Sequence, residues 1–254
     1  TRSRAASWSA RFGWCGLLLL VAGVVLHRSG WLSTADVFRF GVLPAVLAVM
    51  AAALAVKGFT ALLMHGYKGG VASFKGGVLA VLTLAPFVFA AVSWFMFPPL
   101  HDVATDLETP PAFLPGLRPE NALPLAGNLT AQTQEQFKAW PQLSSRRYDG
   151  SPDTIFKAVL SVMKAKGLAV TGSQGVIGED SELYVQAVAK TPVMGFVSDT
   201  VVRLADEGDT TFVDIRAASR YLQRDFGINA RLAVQIMDAL DAEVLLTPGD
   251  KSQD

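Results

Sequence analysis

The side chains best placed for chemistry are arginines and aspartates at regular spacing. Asp199 and Arg203 lie in one alternating apolar/polar segment, Asp214 and Arg216 in the next, and Arg220 follows four residues later. Three guanidiniums on one strand pair could hold an anionic ligand or a docking partner, because the arginine fork matches carboxylate or phosphate oxygens two at a time. The same residues equally make a ladder of ion pairs on the open face of a one-sided sheet, each pair worth a few tenths to about 1 kcal/mol. In a variant of the ladder, upstream acids Asp102, Asp106 and Glu108 meet the arginines, and His101, Asp102, Asp106 and Phe113 become the contact residues.

Other chemistry is sparse. The lone Cys15 rules out a disulfide within the chain and a cysteine metal site. His27, His65 and His101 all stand at ends of apolar runs. His27, His101 and Asp102 have no H-x-x-x-H spacing and form only a weak metal set, so no metal or other cofactor is expected. Carboxylate catalysis would require Asp214 or Asp225 with a raised pKa, yet both have arginines nearby that favour the ionised form. The glycine-rich stretch 65–77 lacks Walker or dinucleotide spacing and reads as a loop touching anionic headgroups. Nothing here argues for an enzyme.

The elements that must position these residues divide by charge. Residues 1–98 carry eight Lys/Arg against the single acid Asp36, and the other 14 basic and 21 acidic residues follow. The first part reads as a three-span membrane anchor, with apolar runs at 12–32, 40–64 and 76–97 that meet the length of about 20 residues a bilayer requires. Pro44 reads as a helix start and Pro86 as a kink, Ala48, Ala52 and Ala55 as a face for close helix approach, and Lys57 as snorkelling to the surface. Arg2, Arg4 and Arg11 before the first run, with Lys68 and Lys75 between the second and third, outweigh Arg28 and Arg39. That bias predicts a cytoplasmic N-terminus in an inner membrane, with the remainder in the periplasm of a bacterium.

Residues 99–149 are rich in proline and read as an extended connector, and 247–254 as a flexible tail. Between them, 150–246 reads as one α+β domain. Ser151, Pro152 and Asp153 open a helix with Phe156, Val159, Leu160 and Met163 on one face. Alternation marks strands at 183–190, 199–204 and 212–216, with shorter ones at 146–148 and 168–170, and a last helix begins near Asn229. The order β-α-β4-α predicts an antiparallel sheet with two helices on one face. A four-residue turn at 206–209 would set Ala205 opposite Thr210, hence Asp199 opposite Arg216 and Val201 opposite Asp214.

Four ordered blocks carry a family resemblance: His101 to Phe113 (HDVATDLETPPAF), Asp199 to Arg203 (DTVVR), Val213 to Arg220 (VDIRAASR) and Asp225 to Arg231 (DFGINAR). Over about residues 99–243 the chain resembles the uncharacterised family known as domain of unknown function 1499. Members of that family in proteobacteria often follow several membrane spans, and others occur in plant plastids, so the resemblance implies an anchored domain beside an energy-converting membrane. It implies no chemistry, and this chain has Ala217 where the family usually shows serine. The expectation is therefore a non-catalytic accessory or assembly subunit of a larger membrane complex, respiratory or photosynthetic, acting through protein–protein interaction and membrane lipids. The alternative is a periplasmic binding module that encloses a lipid or small hydrophobic or anionic ligand between sheet and helices. Nucleic acid is disfavoured, since an acidic domain repels phosphates.

Overall fold

A computed structural model describes residues 3–126, 129–176, 178 and 180–246. The stretch 247–254, read above as a tail, lies outside the described residues. The chain divides into two compact units, Thr1–Met96 with Pro192–Gly195, and Phe97–Thr191 with Phe196–Asp254. The fold is α+β: three apolar helices precede an antiparallel sheet of six strands with helices packed on it.

The first unit holds α1 (Arg4–Arg28), α2 (Thr34–His65) and α3 (Gly70–Met96), each long and apolar enough to cross a membrane. Small residues face its interior. Ala6, Ser9, Gly13 and Gly16 of α1 are buried against Ala48, Ala51 and Ala55 of α2 and Ser73, Gly76 and Ala80 of α3. Ser9 Oγ donates to the carbonyl of Ala51 at 2.8 Å, the kind of interhelical bond that backbone proximity permits. Three expectations shift. The first helix begins at Arg4 instead of residue 12, because Ser3 caps it by accepting from Ala6 N. Pro44 lies well inside α2, which starts at Thr34 behind the Ser33 cap. The buried stripe uses Ala51 in place of Ala52, following the helical period.

In the second unit, β1 (Asp102–Ala104), α4 (Leu129–Ala139), β2 (Arg146–Asp149), α5 (Pro152–Ala165), β3 (Ala169–Gln174), β4 (Glu182–Lys190), β5 (Val197–Asp206), β6 (Thr210–Ser219) and α6 (Ile228–Leu246) follow in order. The sheet runs β1-β6-β5-β4-β3, and β2 also pairs with β6. Thus β1 takes the C-terminal half of β6 and β2 the N-terminal half. Leu183, Val185, Val202, Leu204, Val213 and Ile215 point to α5 and α6 and meet Ile155, Val159, Met163, Ile236, Met237 and Leu240 in the core. Helix α5 is rolled by about one residue from expectation: Ile155 and Val162 turn inward, while Phe156 and Leu160 are only partly buried at the margin.

The β5–β6 hairpin differs by two residues from the expected register. Ala205 stands opposite Phe212 and Asp206 opposite Thr211, so Asp199 faces Ala218, Val201 faces Arg216, and Arg203 directly faces Asp214. The turn is a two-residue one. Glu207 N donates to Thr210 O at 2.9 Å, and Gly208 at φ +85° takes the first central position, where a tight hairpin turn favours glycine. A slip of two preserves the face of every side chain and changes only its partner.

Candidate functional site

The face of the sheet away from the helices is covered by the connector. From β1 at the sheet edge the chain crosses β5 and β4, and Leu114 N donates to the buried Gln186 Oε1 at 2.7 Å. At β3 it fits against Gly172, where a Cβ would come within 2.8 Å of Leu117. It returns with Leu123 N donating to Arg220 O at 2.7 Å. Beneath it all five expected face residues, Asp199, Arg203, Asp214, Arg216 and Arg220, are gathered with the connector residues Asp102, Asp106 and Phe113.

Three carboxylates anchor the cluster. Asp199, fully buried, receives Arg220 Nη2 at 2.6 Å and Nε at 3.0 Å, and Arg118 Nη1 at 2.8 Å. Asp214, also fully buried, receives Arg203 Nη2 at 2.6 Å, the Thr105 hydroxyl at 3.2 Å and the Ser145 hydroxyl. Asp102 forms a two-pronged pair with Arg216, Nε to Oδ1 at 2.9 Å and Nη2 to Oδ2 at 2.7 Å. A fourth acid, Asp106, takes Arg203 Nη2 at 2.9 Å. Phe113 lies between two cations, with the guanidinium carbons of Arg118 and Arg216 each 5.5 Å from its ring. The expected Asp199–Arg216 pair does not form, because the hairpin register gives Arg216 to Asp102 on the other neighbour strand.

Electrostatics follow from this crowding. Burial would raise the Asp106 carboxyl, but the Thr109 hydroxyl and amide and the Arg203 guanidinium hold it below the usual carboxylate range. Burial depresses Arg118 against the attraction of Asp199 and Asp102, while for Arg203 burial is outweighed by its hydrogen bonds to Asp214 and Asp106 and its attraction to Asp214, which raise it. Glu108 supplies only its amide, donating to Asp106. His101 Nε2 bonds Pro124 O at 3.1 Å, and since a carbonyl only accepts, that nitrogen carries the hydrogen. The His101 carbonyl accepts from Ser219 N and Asn229 Nδ2. No group of three or more His, Cys, Asp or Glu among the described residues is placed to hold a metal.

Asp225 departs from the expectation that neighbouring arginines keep it in the ordinary range. Its carboxyl is buried at the start of α6, accepting from Gly227 N at 2.8 Å and Asn229 N at 2.9 Å, and burial pushes its pKa up. It works as a helix cap. On the edge strand β1, Gln136 of α4 accepts from Ala104 N and donates to Ala104 O, standing in for a further strand.

Sequence reading missed Arg118, Thr105, Ser145 and Gln136. A signal for Arg118 existed. The named face and connector residues hold four aspartates and three arginines, so a buried cluster of them lacks one cation, and Arg118 in the proline-rich stretch supplies it.

The comparisons with known proteins add family membership and little else. Among solved structures, TTHA0849 from Thermus thermophilus is similar at 14% identity over 42% of this chain and 97% of that one, with a TM-score of 0.22, too low to carry an argument. No curated protein matches. The model of a family described as a protein of unknown function, DUF1499, matches residues 102–240, from the β1 aspartate that binds Arg216 to the α6 leucine in the core, and the chain belongs to that family.

Proposed function

We propose that this protein is a membrane-anchored, non-catalytic accessory or assembly subunit of a larger membrane complex. One observation carries the reading: the dense cluster of ionisable groups in the second unit is internally matched. Four arginines meet four aspartates beneath the connector. A reaction centre holds a group poised to gain or lose a proton or to meet substrate. These groups hold one another and the connector instead, which makes the unit a rigid body offering surfaces. The space between sheet and helices, where the alternative would seat a lipid, is filled by Ile155, Met163, Ile236, Met237 and Leu240, all below 2% exposed.

The anchor lies in the inner membrane with a cytoplasmic N-terminus and the sheet unit on the periplasmic side. The support is the excess of Arg2, Arg4, Arg11, Lys68 and Lys75 over Arg28 and Arg39 in the flanking segments. Extraction of the full chain in mild detergent followed by native mass spectrometry tests the assignment. A stoichiometric complex with another membrane protein is expected. A chain that runs alone, with one small molecule retained in the sheet unit, contradicts it. Maleimide labelling of a cysteine placed at Ser173 from the cytoplasmic side would overturn the orientation.

A further inference from the structure

A second cluster, separate from the covered face, lies where the sheet unit begins. Phe97 directly follows Met96, the last residue of α3. Its ring stacks on Trp140 at 5.8 Å and 11°, and the Arg231 guanidinium carbon also lies over it, 4.9 Å from the centroid. Gly227 permits the stack, since a Cβ there would come within 2.7 Å of Trp140 and 3.1 Å of Phe97. Arg224 donates to the Phe97 carbonyl. Arg231 uses one N–H on Phe226 O at 3.0 Å, and its other N–H groups meet no acceptor among the described residues. One turn before Trp140, Phe137 leaves 68% of its surface exposed.

We propose that Arg231, held by the Phe97–Trp140 stack, binds the phosphate of an anionic phospholipid. Chain continuity supplies the location: α3 ends in exposed Trp94 and Phe95, aromatic residues of the kind that settle at headgroup level, and Phe97 is two residues beyond Phe95. Charge supplies the ligand. Segment 220–231 carries three arginines against one aspartate, in a half of the chain that is acidic overall. That aspartate, Asp225, is buried with its oxygens on Gly227 N and Asn229 N, so it attracts Arg231 without hydrogen-bonding to it, and Arg220 is committed to Asp199. A guanidinium set over an aromatic ring can still grip two phosphate oxygens with its remaining N–H groups, and a zwitterionic headgroup presents those oxygens with its own competing cation. Phe137 supplies an apolar side chain for the acyl boundary.

The test is photo-crosslinking of the full chain in phosphatidylcholine nanodiscs carrying traces of headgroup-reactive phosphatidylglycerol or, in parallel, headgroup-reactive phosphatidylcholine. Peptides containing Phe97, Phe137 to Trp140 and Tyr221 to Arg231 should be labelled several-fold more by the anionic probe. High salt should erase that preference, as should R231Q, while R231K should keep most of it. Equal labelling by both probes, labelling confined to α1 to α3, or a preference unaffected by salt would each overturn the proposal, whether or not R231Q folds.

Discussion

The two units bury opposite kinds of residue. Inside the helical unit are Ala6, Ser9, Gly13, Gly16, Ala48 and Gly76, while Leu18, Val42, Phe89 and Phe95 face outward. Inside the sheet unit are Ile155, Leu183, Ile215 and Leu240, and the outward residues are mostly polar. Water drives large apolar side chains inward, at about 25 cal/mol per Å² removed from it. Lipid exerts no such pull, and close backbone approach then decides packing. The contrast thus reports two solvents for one chain. The treatment of charge agrees, since the buried Arg–Asp pairs occur in the unit that can also hydrogen-bond their remaining atoms.

The contrast can be broken from several sides. The largest effect belongs to the charges. Asp199→Ala would leave Arg118 and Arg220 facing each other without their shared carboxylate, and stability in denaturant should fall by about 3–5 kcal/mol. An exposed ladder would lose under about 1 kcal/mol. Next is the large-residue core: Ile215→Ala should cost about 2–5 kcal/mol, whereas Leu18→Ala on the outer face of α1 should leave the melting temperature of the detergent-solubilised chain almost unchanged. Gly76→Leu reverses the logic, since a Cβ there would meet Ser9 Oγ at 1.8 Å and Ser9 backbone at 2.7 Å. Overpacking of that kind should cost about 1–3 kcal/mol or separate the helices, which inter-helix cross-linking would read.

The smallest expected effect is a pH dependence at the connector. Because Asp106 is held below its ordinary value, its contribution is complete above pH of about 4 and is lost as pH falls through the depressed value. Amide protection factors across 102–109 should fall on that acidification and stay flat between neutrality and mildly acid pH. Asp225 has the opposite sign: with its carboxyl raised by burial, the stability it contributes falls as pH climbs above the ordinary carboxylate value.

Much of this was legible because it rested on periodicity. Alternation placed Asp199, Arg203, Asp214 and Arg216 on one face, and face survives a register slip of two residues. Partner choice does not survive it, and partners were therefore misassigned. The turn residue Gly208 was visible, but a two-residue and a four-residue turn share the same Asp-Glu-Gly-Asp letters. Strand β1 has three residues and is surrounded by turns, so it shows no alternation; its partners on β6 alone make it a strand. Helix α4 carries mostly polar residues, and the one that matters, Gln136, acts as a backbone mimic that no hydrophobic pattern announces. The connector looked like a spacer because its prolines forbid regular hydrogen bonding, yet its side chains supply half the carboxylates of the buried cluster.

The central claim is that these pairs are scaffold, joining connector to sheet, and the Asp102–Arg216 pair tests it most directly. Unfolding of the full chain in detergent would be compared for the wild type, Arg216→Met, Asp102→Leu and the double variant. Each single change strands one buried charge and should cost about 3–5 kcal/mol, while the double change should recover most of the loss. Singles as stable as the wild type, with Arg216→Met instead losing a bound anion or a partner, would show that the cluster is a binding site and the account wrong.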